Sequence, residues 1–360
     1  MKKVLLISNK VMHYRVSVYN YFARRFREYG WELIVRSNEL QKENPHALEF
    51  DFKEVPFDFW LYRTEIKKID PDVVILFLHL KDLIIWPLVH WLKIRRIPSI
   101  NWNKGANLDE PDSTLRYFLF NYIHSLCDGI ILYSRHELKY IMKRNRWKVS
   151  YANNTINYED FPEVHQSKEE IKKEFGIPFE KVVLSVGRMD VGGGRKKIDH
   201  LVKVFHDISM KDAGLVIVGS AAKDDLQKQM NKDNTIYLGE IYDPHNIQIS
   251  KIFKMADLFS IPGHVGLGLN QAFYWGLPVV TEDGLQPPEI HYLINGRNGF
   301  VVPNNDLEEL KNKILYLLEN EDMRKQFSVN AKNDILENAS IEKMFMVFKG
   351  SIDSIHREHG

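Results

Sequence analysis

Short apolar runs alternate with helix-patterned segments along the whole chain, and that alternation constrains the fold more than any other feature. In the first half, Val4–Ser8, Trp31–Arg36, Asp72–Leu78, Pro98–Trp102, Gly129–Tyr133 and Val149–Asn153 read as strands. Asp72–Leu78 is DVVILFL, a continuous apolar run of the kind that parallel strands buried on both faces require. Helices are expected at His13–Phe26, Lys81–Arg96, Ser113–Cys127 and Ser134–Asn145, with Pro87 interrupting the second. Ser134 and Glu137 carry the spacing of a capping box. Residues 40–70 are less regular, and 156–180 read as a linker holding a short charged helix, Ser167–Phe175. The alternation then restarts with strands Val182–Val186, Leu215–Val218 and Thr235–Leu238 and helices Ile198–Ile208, Lys223–Met230 and Ile247–Met255. Helices at about 306–319, 321–336 and 341–357 close the chain. Such alternation in both halves implies two doubly wound α/β domains. Ligands of these sheets sit at the carboxyl ends of the strands, so the expected site is the cleft between the domains.

A length of 360 residues suits two domains. The net charge of +1 gives no electrostatic footprint for nucleic acid, and none is expected as a partner. Its distribution is uneven: residues 1–165 carry 25 Lys/Arg against 20 Asp/Glu (+5), the remainder 24 against 28 (−4). The single cysteine, Cys127, excludes an internal disulfide and a cysteine metal cluster and fits a reducing compartment. Met1-Lys2-Lys3 leads straight into a strand-like run without a secretory leader pattern, and no apolar run is long enough to span a bilayer. A cytoplasmic protein is the expectation.

Two stretches carry chemistry. Ala256–Thr281, ADLFSIPGHVGLGLNQAFYWGLPVVT, reads as strand, glycine-bearing loop, helix Leu267–Trp275, turn and strand. A loop of this kind can hold a phosphate on backbone N–H groups at the helix N-terminus; an ordinary strand-to-helix turn is the alternative. In residues 184–205, LSVGRMDVGGGRKKIDHLVKVF, the cations Arg188, Lys196 and Lys197 bracket Gly192-Gly193-Gly194 directly after a strand. Converging cations there form a diphosphate trap, or else a solvated basic loop.

An ordered set of residues then resembles a known family over roughly 165–305. It comprises Gly187-Arg188, Lys196-Lys197-Ile198-Asp199, Leu215–Gly219, Leu238-Gly239-Glu240, Ala256-Asp257-Leu258, Pro262, Gly266 to Gln271-Ala272, Gly276–Val280, Pro288-Glu289 and Asn298-Gly299. In these the chain resembles the retaining glycosyltransferases of family 4, glycosyl transferases group 1. The first half resembles them more weakly, through Asp128–Ser134 and Asn154–Asn157.

The resemblance implies the GT-B fold: two Rossmann-like domains facing a cleft. An acceptor domain would span 1–165 and a nucleotide-sugar domain 166–340, with a C-terminal helix at about 341–360 that can pack back on the first. It implies retaining transfer of a sugar from a nucleotide diphosphate donor to a glycan or lipid-linked acceptor, in cell-surface polysaccharide or lipopolysaccharide assembly. Arg188 and Lys196 would be the catalytic cations. Gly187, Lys197, Glu240, Ile241, Tyr242, Gly263, His264, Val265, Gly266, Leu267 and Gln271 would bind the donor. His13, Tyr14, Arg15 and Lys104 are the acceptor-side candidates. The expected site holds no Asp-x-Asp metal motif, so no metal and no cofactor is expected, and the cations would take the metal's role. Asp190 and Glu289 are read as structural. Gly263 stands where the family usually has the first Glu of its Glu-x7-Glu motif, and Gln271 where it has the second. Two rivals remain: a catalytically weak sugar-nucleotide-binding protein and a GT-B sugar-nucleotide epimerase. Residues 81–96, with Trp86, Trp91, Lys93, Arg95 and Arg96, read either as a peripheral contact with an anionic membrane at its inner face or as a core helix with a basic end.

Overall fold

In this computed structural model, residues 1–106, 113–187, 194–208, 212–220 and 234–359 are described. They form two units, Met1–Asn157 with Ala339–Gly360, and Tyr158–Asn338. The expected helix at Lys223–Met230 lies outside the described residues.

The first unit runs β1 (Lys2–Ser8), α1 (His13–Glu28), β2 (Trp31–Ser37), β3 (Asp51–Glu54), α2 (Phe59–Ile69), β4 (Val73–Phe77), α3 (Ile85–Arg95), β5 (Ser99–Asn103), α4 (Thr114–Leu126), β6 (Gly129–Leu132) and β7 (Val149–Tyr151). The strand order is β3-β2-β1-β4-β5-β6-β7, all parallel. The order reverses between β1 and β4, which pair in register from Val4↔Val73 to Ser8↔Phe77. Residues 40–70, which read as irregular, supply β3 and α2; Asp58 caps α2 by accepting from the Trp60 and Leu61 N–H groups.

Two local expectations are corrected. The helix over 81–96 begins only at Ile85, which puts Pro87 in its first turn, where a missing N–H costs nothing. Trp86 and Trp91, read either as a membrane contact or as part of a core helix, are half-buried and pack against the core. Ser134 and Glu137 do form a capping box, but the segment they open is two 3₁₀ turns, Arg135–Tyr140 and Lys143–Lys148, rather than an α-helix.

The second unit runs α5 (Lys168–Glu174), β8 (Lys181–Val186), α6 (Ile198–Asp207), β9 (Ala213–Val218), β10 (Thr235–Tyr237), α7 (Ile247–Met255), β11 (Leu258–Ser260), α8 (Leu267–Tyr274), β12 (Val279–Glu282), β13 (Gly299–Val302), α9 (Leu307–Glu319) and α10 (Glu321–Asn338). Its sheet, β10-β9-β8-β11-β12-β13, is also parallel throughout and reverses between β8 and β11. The last helix, α11 (Ile341–His359), belongs to the first unit. Phe345 and Phe348 pack edge-on against Phe22 of α1, and Glu342 accepts from Tyr21 Oη at 2.6 Å and Arg25 Nη2 at 2.8 Å. Among the described residues no helix is long and apolar enough to cross a membrane.

Candidate active site

β8 and β11 are neighbours at the reversal point of the second sheet, so the loops after them meet at its carboxyl edge. Gly187 follows β8 and donates its N–H to Val218 O at 2.9 Å. Arg188 lies outside the described residues. The chain returns as the turn Gly194–Lys197, which bonds to the loop after β11. Gly263 N–H donates to Lys196 O at 3.0 Å, and His264 N–H to Arg195 O at 2.7 Å. The backbones approach so closely that a Cβ at position 263 would lie 1.8 Å from Arg195 O. Lys196 lays its stem across Gly187, where a Cβ would lie 2.5 Å from Lys196 Cε, and its Nζ donates to His264 O at 3.2 Å. Gly266, at φ +58°, turns the chain into α8.

Thus Gly187, Lys196, Gly263, His264, Val265, Gly266 and Leu267 come together at one edge. Val265 is buried, His264 and Leu267 are half-buried, and Gln271 is half-buried one turn along α8. Glu240, Ile241 and Tyr242 follow β10, two strands away in the sheet.

The loop after β11 rests on residues that the sequence reading missed. Thr281 Oγ1 donates to Ile261 O at 2.7 Å. Gln286 Nε2 donates to Gly263 O at 2.8 Å, while its Oε1 accepts from Val265 N–H at 3.1 Å. Lys197, expected to reach the donor, instead spends its ammonium on the protein. It donates to Glu282 Oε2 at 2.6 Å, Asn305 Oδ1 at 2.8 Å and Asn304 Oδ1. Glu282 is buried and also meets His200 Nδ1 at 2.6 Å and the Asn305 N–H at 2.9 Å. Burial pushes its carboxyl up, but the bonds from His200, Lys197 and Asn305 outweigh this and hold it below the usual carboxylate range.

In the first unit the loops after β1 and β4 meet at the corresponding reversal. Asn9 Oδ1 accepts from Lys10 N–H at 2.7 Å, which fixes the amide so that Nδ2 faces His79 Nδ1 at 2.7 Å. That makes Nδ1 an acceptor and leaves the ring proton on Nε2. Asp82 accepts from His79 N–H at 2.7 Å and from Asn9 Nδ2 at 3.2 Å. Desolvation, with Lys81 and Lys104 adding to it, holds the imidazole below its ordinary pKa against the pull of Asp82. Sequence reasoning missed this trio; the only signal was its position just after the two strands that flank the reversal.

Of the acceptor-side candidates, His13 Nδ1 lies 3.0 Å from Gln41 Oε1, and the rings of His13 and Tyr14 meet edge-on. Lys104 is half-buried, with its Nζ 5.7 Å from the Tyr133 ring. Arg15 lies deeper than these. It is buried, donates to Asn154 Oδ1 at 2.9 Å and Tyr133 Oη at 3.2 Å, and lies 4.7 Å from the Trp102 ring centre. It ties α1 to the segments after β6 and β7 rather than presenting a charge outward. Among the described residues, no group of three or more His, Cys, Asp or Glu side chains converges as a metal site.

Residues 167–334 match the model of the family described as glycosyl transferases group 1. Over those residues, just under half of the chain, it is similar to that family. It is 24% identical over 313 residues to an uncharacterized glycosyltransferase of Methanocaldococcus jannaschii, covering 81% of this chain and 77% of that one. Its fold matches the structure of HepE from Anabaena in complex with UDP, with a TM-score of 0.77, 13% identity and coverage of 98% of this chain and 100% of that one. It also matches WaaG, a glycosyltransferase involved in lipopolysaccharide biosynthesis, with a TM-score of 0.70, 15% identity and coverage of 98% and 99%. The fold is thus GT-B, built from two Rossmann-like units.

Proposed function

We propose that this protein is a glycosyltransferase that moves a sugar from a nucleoside diphosphate sugar, with retention, onto a glycan or lipid-linked saccharide. The observation that carries the proposal is Lys196, held across Gly187 and against the His264 carbonyl at the reversal point of the second sheet. An ammonium there, with Arg188 from the same loop, takes up the negative charge that grows on the departing diphosphate, and the scheme needs no metal. Gly266 and Leu267, where the loop runs into α8, offer backbone N–H groups to the same anion. Gln271 hydrogen-bonds the ribose, and Glu240, Ile241 and Tyr242 lie by the base. The UDP in the HepE structure supports a nucleotide ligand for this fold.

Retention follows if the departing phosphate helps to deprotonate an acceptor that attacks on the same face of the sugar. That chemistry asks for positioning more than for a strong protein base. The acceptor belongs to the first unit, near His13, Tyr14, Lys104 and His79. The His79 Nε2–H is a neutral donor suited to a hydroxyl or phosphate oxygen.

A lipid-linked acceptor fits the surface of that unit. Leu115, Phe118 and Tyr122 form an exposed stripe on α4, and Trp147 is exposed beside Lys143, Arg144 and Arg146. With Ile94, Arg95 and Arg96 at the end of α3, they combine apolar and cationic groups as docking on an anionic bilayer requires. The corresponding place of work is the inner face of a membrane, in polysaccharide or lipopolysaccharide assembly.

The test is turnover of nucleotide sugars by the wild type, Arg188→Ala and Lys196→Ala. Each substitution should cut kcat by about 10²-fold, and the product anomer read by NMR should match the donor's. Near-normal rates in a folded double variant would contradict the assignment. One second reading has its own observation: without a carboxylate at position 263, the protein could bind sugar nucleotides and turn them over weakly. Binding without turnover across an acceptor panel would favour it.

A further inference from the structure

Lys197 stands at φ +50°, a left-handed conformation that glycine adopts freely and lysine does not, and it is the residue from which α6 departs. Its neighbour Lys196 is the proposed catalytic cation. The backbone twist at 197 therefore sets how the 194–197 turn meets the loop after β11.

Three acceptors on two other segments hold Lys197 in that twist: Glu282 at the end of β12, and Asn304 and Asn305 beyond β13. Glu282 is 1% exposed. A buried carboxylate with a lysine, a histidine and a backbone N–H around it is a costly arrangement unless every partner stays in place. The same short stretch also fixes the loop from below, through Thr281 and Gln286. The Glu282 carboxylate bonds to neither Lys196 nor the loop Gly263–Gly266 in these contacts and reaches Lys196 through Lys197, while its backbone N–H donates to Pro262 O at 2.9 Å.

We propose that Glu282 is a positioning residue: by tethering Lys197 in the left-handed conformation, it keeps the 195–196 backbone docked on Gly263 and His264, and so keeps Lys196 over Gly187. The inference rests on Lys196 holding the donor diphosphate. It names a side chain that acts on the reaction through its neighbour's backbone, with no contact to substrate.

The test compares side-chain loss with backbone relief. Lys197→Ala and Lys197→Gly both remove the ammonium, but only glycine accepts φ +50° without the tether. Two readouts apply to each variant. One is affinity for UDP, GDP and ADP, whose shared diphosphate is the group Lys196 is read to hold. The other needs no ligand: hydrogen exchange at the Gly263 and His264 amides, which donate to Lys196 O and Arg195 O.

Lys197→Ala should lose at least about 10-fold in affinity for whichever diphosphate binds the wild type, and should speed exchange at those two amides by about the same factor. Lys197→Gly should stay within about 3-fold of the wild type on both. Glu282→Gln should behave like Lys197→Ala, and the double variant Glu282→Gln/Lys197→Gly should return towards the wild type. Equal behaviour of the alanine and glycine variants would overturn the proposal, as would a folded Glu282→Gln with wild-type affinity and exchange. If Glu282→Gln does not fold, the alanine–glycine comparison decides alone. Lys196→Ala separates the two claims. Unchanged affinity in that variant defeats the donor reading, while the exchange data still report on the tether. If no diphosphate binds the wild type, the donor reading falls and the exchange data alone decide the tether.

Discussion

A glutamate at position 263 would bring back the residue the family usually carries, but the backbone has no room for it. A Cβ there would lie 1.8 Å from the Arg195 carbonyl oxygen. Gly263→Glu should therefore cost stability by about 1–3 kcal/mol, as overpacking does, and lower turnover rather than raise it. Thermal unfolding and kinetics of the single variant check this, and a gain in turnover would contradict it. The same contact explains part of what the sequence hid. That position 263 is glycine was plain from the sequence, as was its departure from the family motif. What could not be read was that the departure is built into the docking of two loops brought together from more than 60 positions apart. Lys197 is similar: its charge placed it among the donor contacts, and only the fold brings Glu282, Asn304 and Asn305 to it.

At the scale of elements, α4 and β5 meet through a buried histidine. His124 is fully buried, and its Nε2 lies 3.0 Å from Asn103 Nδ2. Burial, with Lys148 adding to it, pushes its pKa down to about 3. The unfolded chain takes up a proton on this ring near its ordinary pKa of about 6.5; the native state does not until about pH 3. Stability should therefore fall as pH drops through that window, by up to about 1.4 kcal/mol per pH unit from this group. Glu282, held below its ordinary value, adds a loss in the same direction only in the carboxylate range. Denaturant melts between pH 7 and pH 5 isolate the histidine, and His124→Gln should flatten the slope there. Identical slopes would show that His124 is charged in the native state or is not the group responsible. The strands around it were legible because a two-faced parallel sheet demands apolar runs. The segment after β6 was not. Its capping box signals a helix start, but Asn121 of α4 accepts from the Met142 N–H at 2.7 Å and donates to Tyr140 O at 2.9 Å, so the chain stays in short turns. Likewise, no local pattern announces Asn9, His79 and Asp82; the pairing of β1 with β4 creates that group.

For the whole molecule, the basic first half and acidic second half fit a division of labour between an anionic surface and a soluble donor. Each cation near such a surface contributes about 1 kcal/mol, and salt screens it within a Debye length. The protein should pellet with anionic vesicles more than with neutral ones, and less as salt rises. Arg95→Glu/Arg96→Glu/Lys143→Glu/Arg144→Glu should abolish the difference; pelleting that ignores lipid charge would contradict the docking face. The central claim concerns the second unit, where Lys196 is proposed to hold the donor diphosphate without help from a metal. The direct measurement is ligand-dependent thermal stabilisation of wild type and Lys196→Ala by UDP, GDP, ADP, TDP and CMP in EDTA, since a ligand that binds only the native state raises its stability. At least one nucleoside diphosphate should stabilise the wild type with the chelator present, CMP should do so less, and Lys196→Ala should lose about 10-fold or more in affinity. No stabilisation by any diphosphate, stabilisation that appears only when Mg²⁺ or Mn²⁺ is restored, or equal stabilisation of the two proteins would contradict the account.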